Sequence, residues 1–177
     1  MRIGLVRHYK VDLKRTMQGI PPAEFDVWFD AYNEAGILEV STDLGGTAWD
    51  RCIASDLNRA IITAKDIFPG EVTIDPELRE VRPYAAFKKA FRLPVMWWLV
   101  LARAGLMLGW KSQQESMKQF KMRLNRMIDK VESLGGNTLL VAHGAVLLFM
   151  GKELRKRGYK GPHYIRPKHG MLYVFEK

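Results

Sequence analysis

The chain has 177 residues, 47% hydrophobic and 27% charged, which suits one folded domain with a substantial core and excludes a disordered or fibrous protein. Lys and Arg outnumber Asp and Glu by 28 to 19, and the formal charge of +9 favours anionic partners: phosphorylated metabolites, nucleic acid or an anionic membrane surface. Cys52 is the only cysteine, which excludes an intrachain disulfide and a multi-cysteine zinc site and fits a reducing, cytoplasmic setting.

Met1 leads directly into a strand-like segment without a charged leader, an apolar stretch and a cleavage site, so no signal peptide is expected. Ile3 to Val6 and Thr138 to Ala142 are short, continuous apolar runs, the pattern of strands buried on both faces. Arg51 to Ala54, Val72 to Ile74 and Met171 to Phe175 are weaker strand candidates. Helices are expected over Glu24 to Glu34, Leu57 to Phe68, Gln113 to Leu134 and Ala145 to Lys156. In the third of these, Met117, Phe120, Leu124, Met127, Val131 and Leu134 recur at spacings of three and four and form one apolar stripe. Ser112 and Glu115 resemble a capping box at its start, and Gly135 with Gly136 ends it. Strands alternating with helices predict an α/β domain with a largely parallel sheet, whose ligands bind at the carboxyl ends of the strands. There is no internal repeat and no low-complexity segment.

Phe91 to Trp110 reads "FRLPVMWWLVLARAGLMLGW". Its charge-free run, Leu93 to Ala102, falls short of the roughly 18 residues that a membrane span needs. A helix opened by Pro94 is expected, packing into the core or lying over a pocket, so that 84–111 forms an apolar lid or cap on a single domain of 1–177. The sharper alternative is an interfacial helix touching a membrane surface, rich in Trp and flanked by Lys88, Lys89, Arg92 and Lys111. Neither this basic cluster nor the one across Lys152 to Lys168 carries a nucleic-acid fold signature, so no nucleic-acid partner is expected.

Three strand ends deliver the same chemistry. The first strand ends in Arg7 and His8; "CIASDLNRA" ends a strand at Ala54 and opens a helix carrying Arg59; "TLLVAHGAV" ends a strand in His143 and Gly144. If these strands are neighbours, two imidazoles and two guanidiniums meet at one sheet edge. Such a set suits a phosphoryl group, whose oxygens the arginines neutralise while an imidazole attacks phosphorus.

The blocks "LVRH", "ASDLNRAIITA", "PELRE" and "LLVAHGAV", in that order, resemble the signature of the histidine phosphatase superfamily, the phosphoglycerate mutase-like clan, from Arg2 to Phe149. The resemblance implies a three-layer α/β/α sandwich. It implies His8 as the nucleophile that becomes phosphorylated, Arg7, Arg59 and His143 as the phosphate pocket, and Glu80 as the proton donor, with Glu77 as the fallback. The implied activity is that of a metal-independent, histidine acid phosphatase-like phosphoric monoester hydrolase acting on a phosphorylated small molecule. No cofactor is implied. An acid needs a raised pKa, whereas Arg79 and Arg82, if close, would hold Glu80 ionised.

The chain departs from the family pattern around this centre. Tyr9 stands where the family usually has glycine, and its ring is expected at the pocket mouth or turned away. "KVDLKRTMQG" offers the phosphate only Gln18, with Lys14 or Arg15 as substitutes, and "VRPYAAFKKAF" replaces a segment that is commonly glycine-rich. A leaving group with an apolar or extended anionic part is expected. A non-catalytic binder of a phosphorylated ligand or partner is the alternative, with Tyr9 its best support. Mutases of this superfamily are longer, and phosphatases of protein phosphohistidine typically lack an acid at the Glu80 position. His163 and His169 are six residues apart with no carboxylate or cysteine nearby, so surface or core packing is expected of both.

Overall fold

The computed structural model describes residues 1–13, 18–38, 40–89 and 91–177. Lys14 and Arg15 lie outside the described residues. The strands are β1 Arg2–Arg7, β2 Lys10–Val11, β3 Ile37–Leu38, β4 Arg51–Ala54, β5 Val72–Ile74, β6 Thr138–Ala142 and β7 Leu172–Glu176. The helices are α1 Pro22–Glu34, α2 Asn58–Ile67, α3 Val95–Leu108, α4 Met117–Leu134 and α5 Gly144–Lys156. The chain divides into two compact units, one of Met1–Lys10, Ile37–Glu80 and Lys121–Lys177, the other of Val11–Gly36 and Val81–Phe120.

The first unit is built on a sheet of order β5-β4-β6-β1-β7, while β2 and β3 pair separately. β5, β4, β6 and β1 are mutually parallel and β7 runs antiparallel to β1. The sheet is therefore mixed but largely parallel, as the alternating pattern predicted. All five residues of β6 are buried, the signature of a central strand covered on both faces. One face carries Val6, Cys52, Ala54, Leu139 and Val141 against Ala60 and Ala64 of α2. On this face Gly4 lies so close to Trp49 that an added Cβ would stand 2.5 Å from the indole. On the opposite face, register places Ile3 opposite Phe175, and Phe175 packs near Gly151 of α5. The carboxyl end of α5 is tied to α4 through Arg157, which bonds Asp129 at 2.5 Å and Glu132 at 2.7 Å. The layers are thus α2, sheet, and α4 with α5, the expected α/β/α order.

α4 begins four residues later than its pattern suggested. The capping box is Ser116 with Gln119: the Gln119 side chain accepts from Ser116 N at 2.8 Å, and Ser116 Oγ accepts from Gln119 N at 3.2 Å. A glutamine closes this box as well as a glutamate, and the serine nearest the apolar stripe wins over Ser112. The stripe buries Phe120, Leu124, Met127 and Val131, together with Ile128, but leaves Leu134 exposed. Gly135 and Gly136, both left-handed at φ 62° and 66°, end the helix as expected.

The second unit packs Phe25 of α1 against Val95 and Trp98 of α3, with Phe87, Leu93 and Ile20 around them. The Trp98 indole donates to Ile20 O at 2.9 Å, and Arg82 pairs with Asp30. Gln18 belongs to this unit. No described helix is long and apolar enough to cross a membrane.

Candidate active site

Every residue of the predicted constellation lies in the first unit: Arg7, His8, Arg59, Glu80 and His143. Parallel pairing of β1 with β6 sets Arg7 opposite Ala142, so the two strands end together and His8 and His143 follow side by side. The ladder continues beyond them, with His8 N donating to Ala142 O and Ser55 N to Val141 O, each at 3.0 Å. The His8 and His143 ring centroids are 5.0 Å apart.

His8 is buried and held by two partners that agree on its tautomer. Its Nδ1 lies 2.6 Å from the backbone carbonyl of Tyr9, which can only accept, so Nδ1 carries the proton. Nε2 accepts from Arg59 Nε at 3.3 Å, and a guanidinium can only donate. The bare lone pair is therefore on Nε2, beside a cation. Burial, chiefly, and then the Arg59 charge push the His8 pKa well below the usual histidine value, against the carbonyl of Tyr9, which raises it.

His143 is equally buried, with Nε2 2.8 Å from Ser55 Oγ and Nδ1 buried without a hydrogen-bond partner. Burial, followed by the charges of His8, Arg59 and Arg7, drives its pKa down as well. Arg59 is itself buried on α2. Arg7 donates to Pro167 O at 2.8 Å. The result is two neutral imidazoles pressed against two fixed cations.

Glu80 reaches the same strand end. Its carboxylate accepts from Ala145 N at 3.1 Å, in the first turn of α5 and two residues beyond His143. Glu77 points its carboxylate at Arg126 of α4, 2.7 Å away, and its carbonyl accepts from Arg123. The two arginines expected to compete for Glu80 are otherwise engaged, Arg79 in a forked pair with Asp56 and Arg82 with Asp30.

Tyr9 is turned inward. Its ring is completely buried, its hydroxyl donates to Asp66 of α2 at 2.5 Å, and its N–H donates to Thr63 Oγ1 at 2.9 Å. Thr63 passes the bond on to Arg59 O at 2.7 Å. No described non-glycine residue has a positive φ, so tyrosine occupies the usual glycine position without left-handed strain.

One residue of this cluster escaped the sequence. His169, expected only to pack, sits with its ring centroid 5.1 Å from that of His8 and its Nδ1 2.8 Å from the His8 carbonyl oxygen. Burial lowers its pKa, helped by Arg7, Lys10 and Arg166 and opposed by the His8 carbonyl. The available signal was the strand that follows it: β7 runs antiparallel to β1, so residues entering β7 arrive where β1 ends.

The sequence profile described as the histidine phosphatase superfamily (branch 1) matches residues 3–176. The chain belongs to the histidine phosphatase superfamily. No curated protein sequence matches it. Among solved structures, a provisionally assigned alpha-ribazole-5'-P phosphatase from Escherichia coli is similar at 20% identity and a TM-score of 0.59, over 98% of this chain and 89% of the other. The alpha-ribazole phosphatase from Shigella flexneri is similar at 19% identity and a TM-score of 0.57, over 98% and 89%. A mycobacterial glucosyl-3-phosphoglycerate phosphatase follows at 18% identity and 0.53, over 88% and 79%. At such identities these likenesses speak for the fold, and the phosphoglycerate mutase-like α/β fold of this histidine phosphatase superfamily member is the one they share.

Proposed function

We propose that the protein is a metal-independent phosphatase that hydrolyses a phosphomonoester of a small molecule through a phosphohistidine on His8. The observation that carries this reading is the fixed tautomer of His8, whose unprotonated Nε2 sits beside Arg59. Nε2 donates its pair to phosphorus, the bond from phosphorus to the ester oxygen breaks, and Glu80 protonates the departing alkoxide. Water then attacks the phosphohistidine, its proton returns to the Glu80 carboxylate, the N–P bond breaks and inorganic phosphate leaves.

Arg7, Arg59 and His143 take the phosphoryl oxygens. If Ser55 donates to His143 Nε2, Nδ1 carries the other proton and can donate to an oxygen that would end its isolation. The arginines and imidazoles supply the charge stabilisation that magnesium supplies in other phosphoryl transfers. Glu80 is preferred to Glu77 as the donor because only Glu80 bonds the turn that follows His143. Tyr9, the best support for a binding-only protein, spends its side chain on a buried bond to Asp66 while its carbonyl holds His8 Nδ1, an arrangement compatible with the catalytic reading. The solved relatives bear names of phosphatases acting on small phosphorylated molecules, which supports that substrate class.

The test is hydrolysis of an aryl phosphate with and without chelator, alongside His8→Ala, with trapping of an acid-labile protein-bound phosphate. Turnover that ignores chelator and disappears with His8 is expected. Turnover retained by His8→Ala, or no turnover from pH 5 to 8 across a panel of phosphomonoesters, would sink the proposal.

A further inference from the structure

α3 is apolar on both of its sides. Val95, Trp98, Ala102 and Gly105 face inward and are buried. Met96, Trp97, Val100, Met107 and Leu108 face outward at helical spacing, with Trp97 60% and Met107 73% exposed. Phe91, ahead of the helix, is 55% exposed. An exposed stripe of large apolar side chains on a folded protein marks a surface that meets something.

The charges in the stretch of chain that carries the stripe have one sign. From Val81 to Gln114 there is no Asp or Glu, while Lys88, Lys89, Arg92, Arg103 and Lys111 are all exposed. We propose that this face docks on an anionic lipid bilayer, with α3 lying in the plane of the interface.

Three physical points select that occupant. At 14 residues α3 is about 21 Å long, too short for a hydrocarbon core of about 30 Å, so it lies on the membrane rather than across it. Tryptophan favours the headgroup boundary, and lysine and arginine stems run along apolar surface while their charges reach anionic headgroups. A second copy of this chain satisfies the stripe but not its rim, because a two-fold contact along α3 would bring Arg103 and its basic neighbours against their own kind. The inference is independent of the chemistry proposed for His8.

The experiment is sedimentation of the full chain with vesicles of phosphatidylcholine and of a phosphatidylcholine–phosphatidylglycerol mixture, with tryptophan emission recorded on each. Binding to the mixed vesicles with a blue shift is expected, with more than about tenfold weaker partitioning onto phosphatidylcholine alone. Trp97→Asp/Met107→Asp, whose sites are exposed, should lose more than about tenfold in partitioning while keeping the wild-type circular dichroism and melting curve. Lys88→Gln/Lys89→Gln/Arg92→Gln, a second route that leaves the apolar stripe intact, should weaken binding to the mixed vesicles alone. Absence of binding to mixed vesicles overturns the proposal, as does unchanged binding by both variants. A wild-type dimer in sedimentation velocity that Trp97→Asp/Met107→Asp makes monomeric also overturns it, and assigns the stripe to a copy of the chain.

Discussion

His169 Nδ1 stands 2.8 Å from the carbonyl oxygen of His8, and since a carbonyl only accepts, His169 donates there. A third imidazole thus fixes the peptide that carries the proposed nucleophile, while Gly170 N, the next residue's amide, bonds Arg7 O at 2.9 Å. His169 acts here as a positioning residue. His169→Ala is expected to lower kcat about tenfold, matching the loss of about 1.4 kcal/mol of orienting interaction. His169→Asn, whose side-chain amide can also donate, should recover most of it. Equal losses in both variants, with no recovery, would mean that the ring only fills space.

The depressed pKa of His8 has a kinetic consequence. The nitrogen proposed to attack stays unprotonated below the ordinary histidine value of 6.5, so the acid limb of kcat/KM should fall below that pH rather than at it. A pH profile of aryl phosphate hydrolysis tests this, and an acid limb centred at or above 6.5 contradicts the buried, neutral imidazole.

The same shifts bear on stability. His8 and His143 both have folded-state pKa values below 6.5, so between those values and 6.5 the unfolded chain binds more protons than the folded one. Their contribution is fully present above 6.5 and is lost as the pH falls toward the folded values, at up to about 1.4 kcal/mol per pH unit for each. Melting temperatures at pH 7.5, 6.5 and 5.5 should fall most steeply in the last interval. His143→Asn should flatten that fall, and a curve flat to pH 5 would refute the account.

Glu80 and Glu77 separate by leaving group. Glu80→Gln should slow hydrolysis of an alkyl phosphate about 10²- to 10⁴-fold but an aryl phosphate with a weakly basic leaving group far less, because a phenolate departs with little need of a proton. Glu77→Gln, which loses only the contact with Arg126, should leave both rates within about threefold of wild type. The opposite pattern would transfer the donor's role to Glu77.

Tyr9 and Cys52 offer two structural checks. Tyr9→Phe removes the bond to Asp66 and should cost about 1 to 2 kcal/mol, while Tyr9→Gly, although it restores the family's usual residue, should cost more than about 3 kcal/mol by emptying a fully buried site. Chemical denaturation measures both. Cys52, buried in the sheet with its thiol pushed up to about 12, should resist alkylation at neutral pH until the protein unfolds. Rapid labelling of the native protein would contradict its placement.

Much of the fold was written locally. The apolar runs of β1 and β6 are strands because both faces of each are covered, and that condition leaves a mark within a few consecutive residues. The placement of Arg7, His8 and His143 at strand ends, and of Arg59 in the helix that follows β4, was legible for the same reason, since an apolar run that stops shows where the sheet edge begins. By contrast, the start of α4 was misplaced because Ser112 and Ser116 both carry a capping pattern, and only the closure of Ser116 on Gln119 decides between them.

What the sequence by itself determined was therefore which chemical groups gather at the carboxyl end of the sheet. Tertiary structure alone decided how they are arranged: the tautomer of His8, set by Tyr9 O and Arg59; the inward turn of Tyr9 toward Asp66; the bond from Ala145 N to Glu80; and the arrival of His169 beside His8. Each of these rests on hydrogen bonds whose direction depends on which atoms meet, and all of those bonds except the one from His8 to Tyr9 O join residues far apart in the chain. Periodicity records burial, but it carries no trace of a partner that strand order brings in from the other end of the molecule.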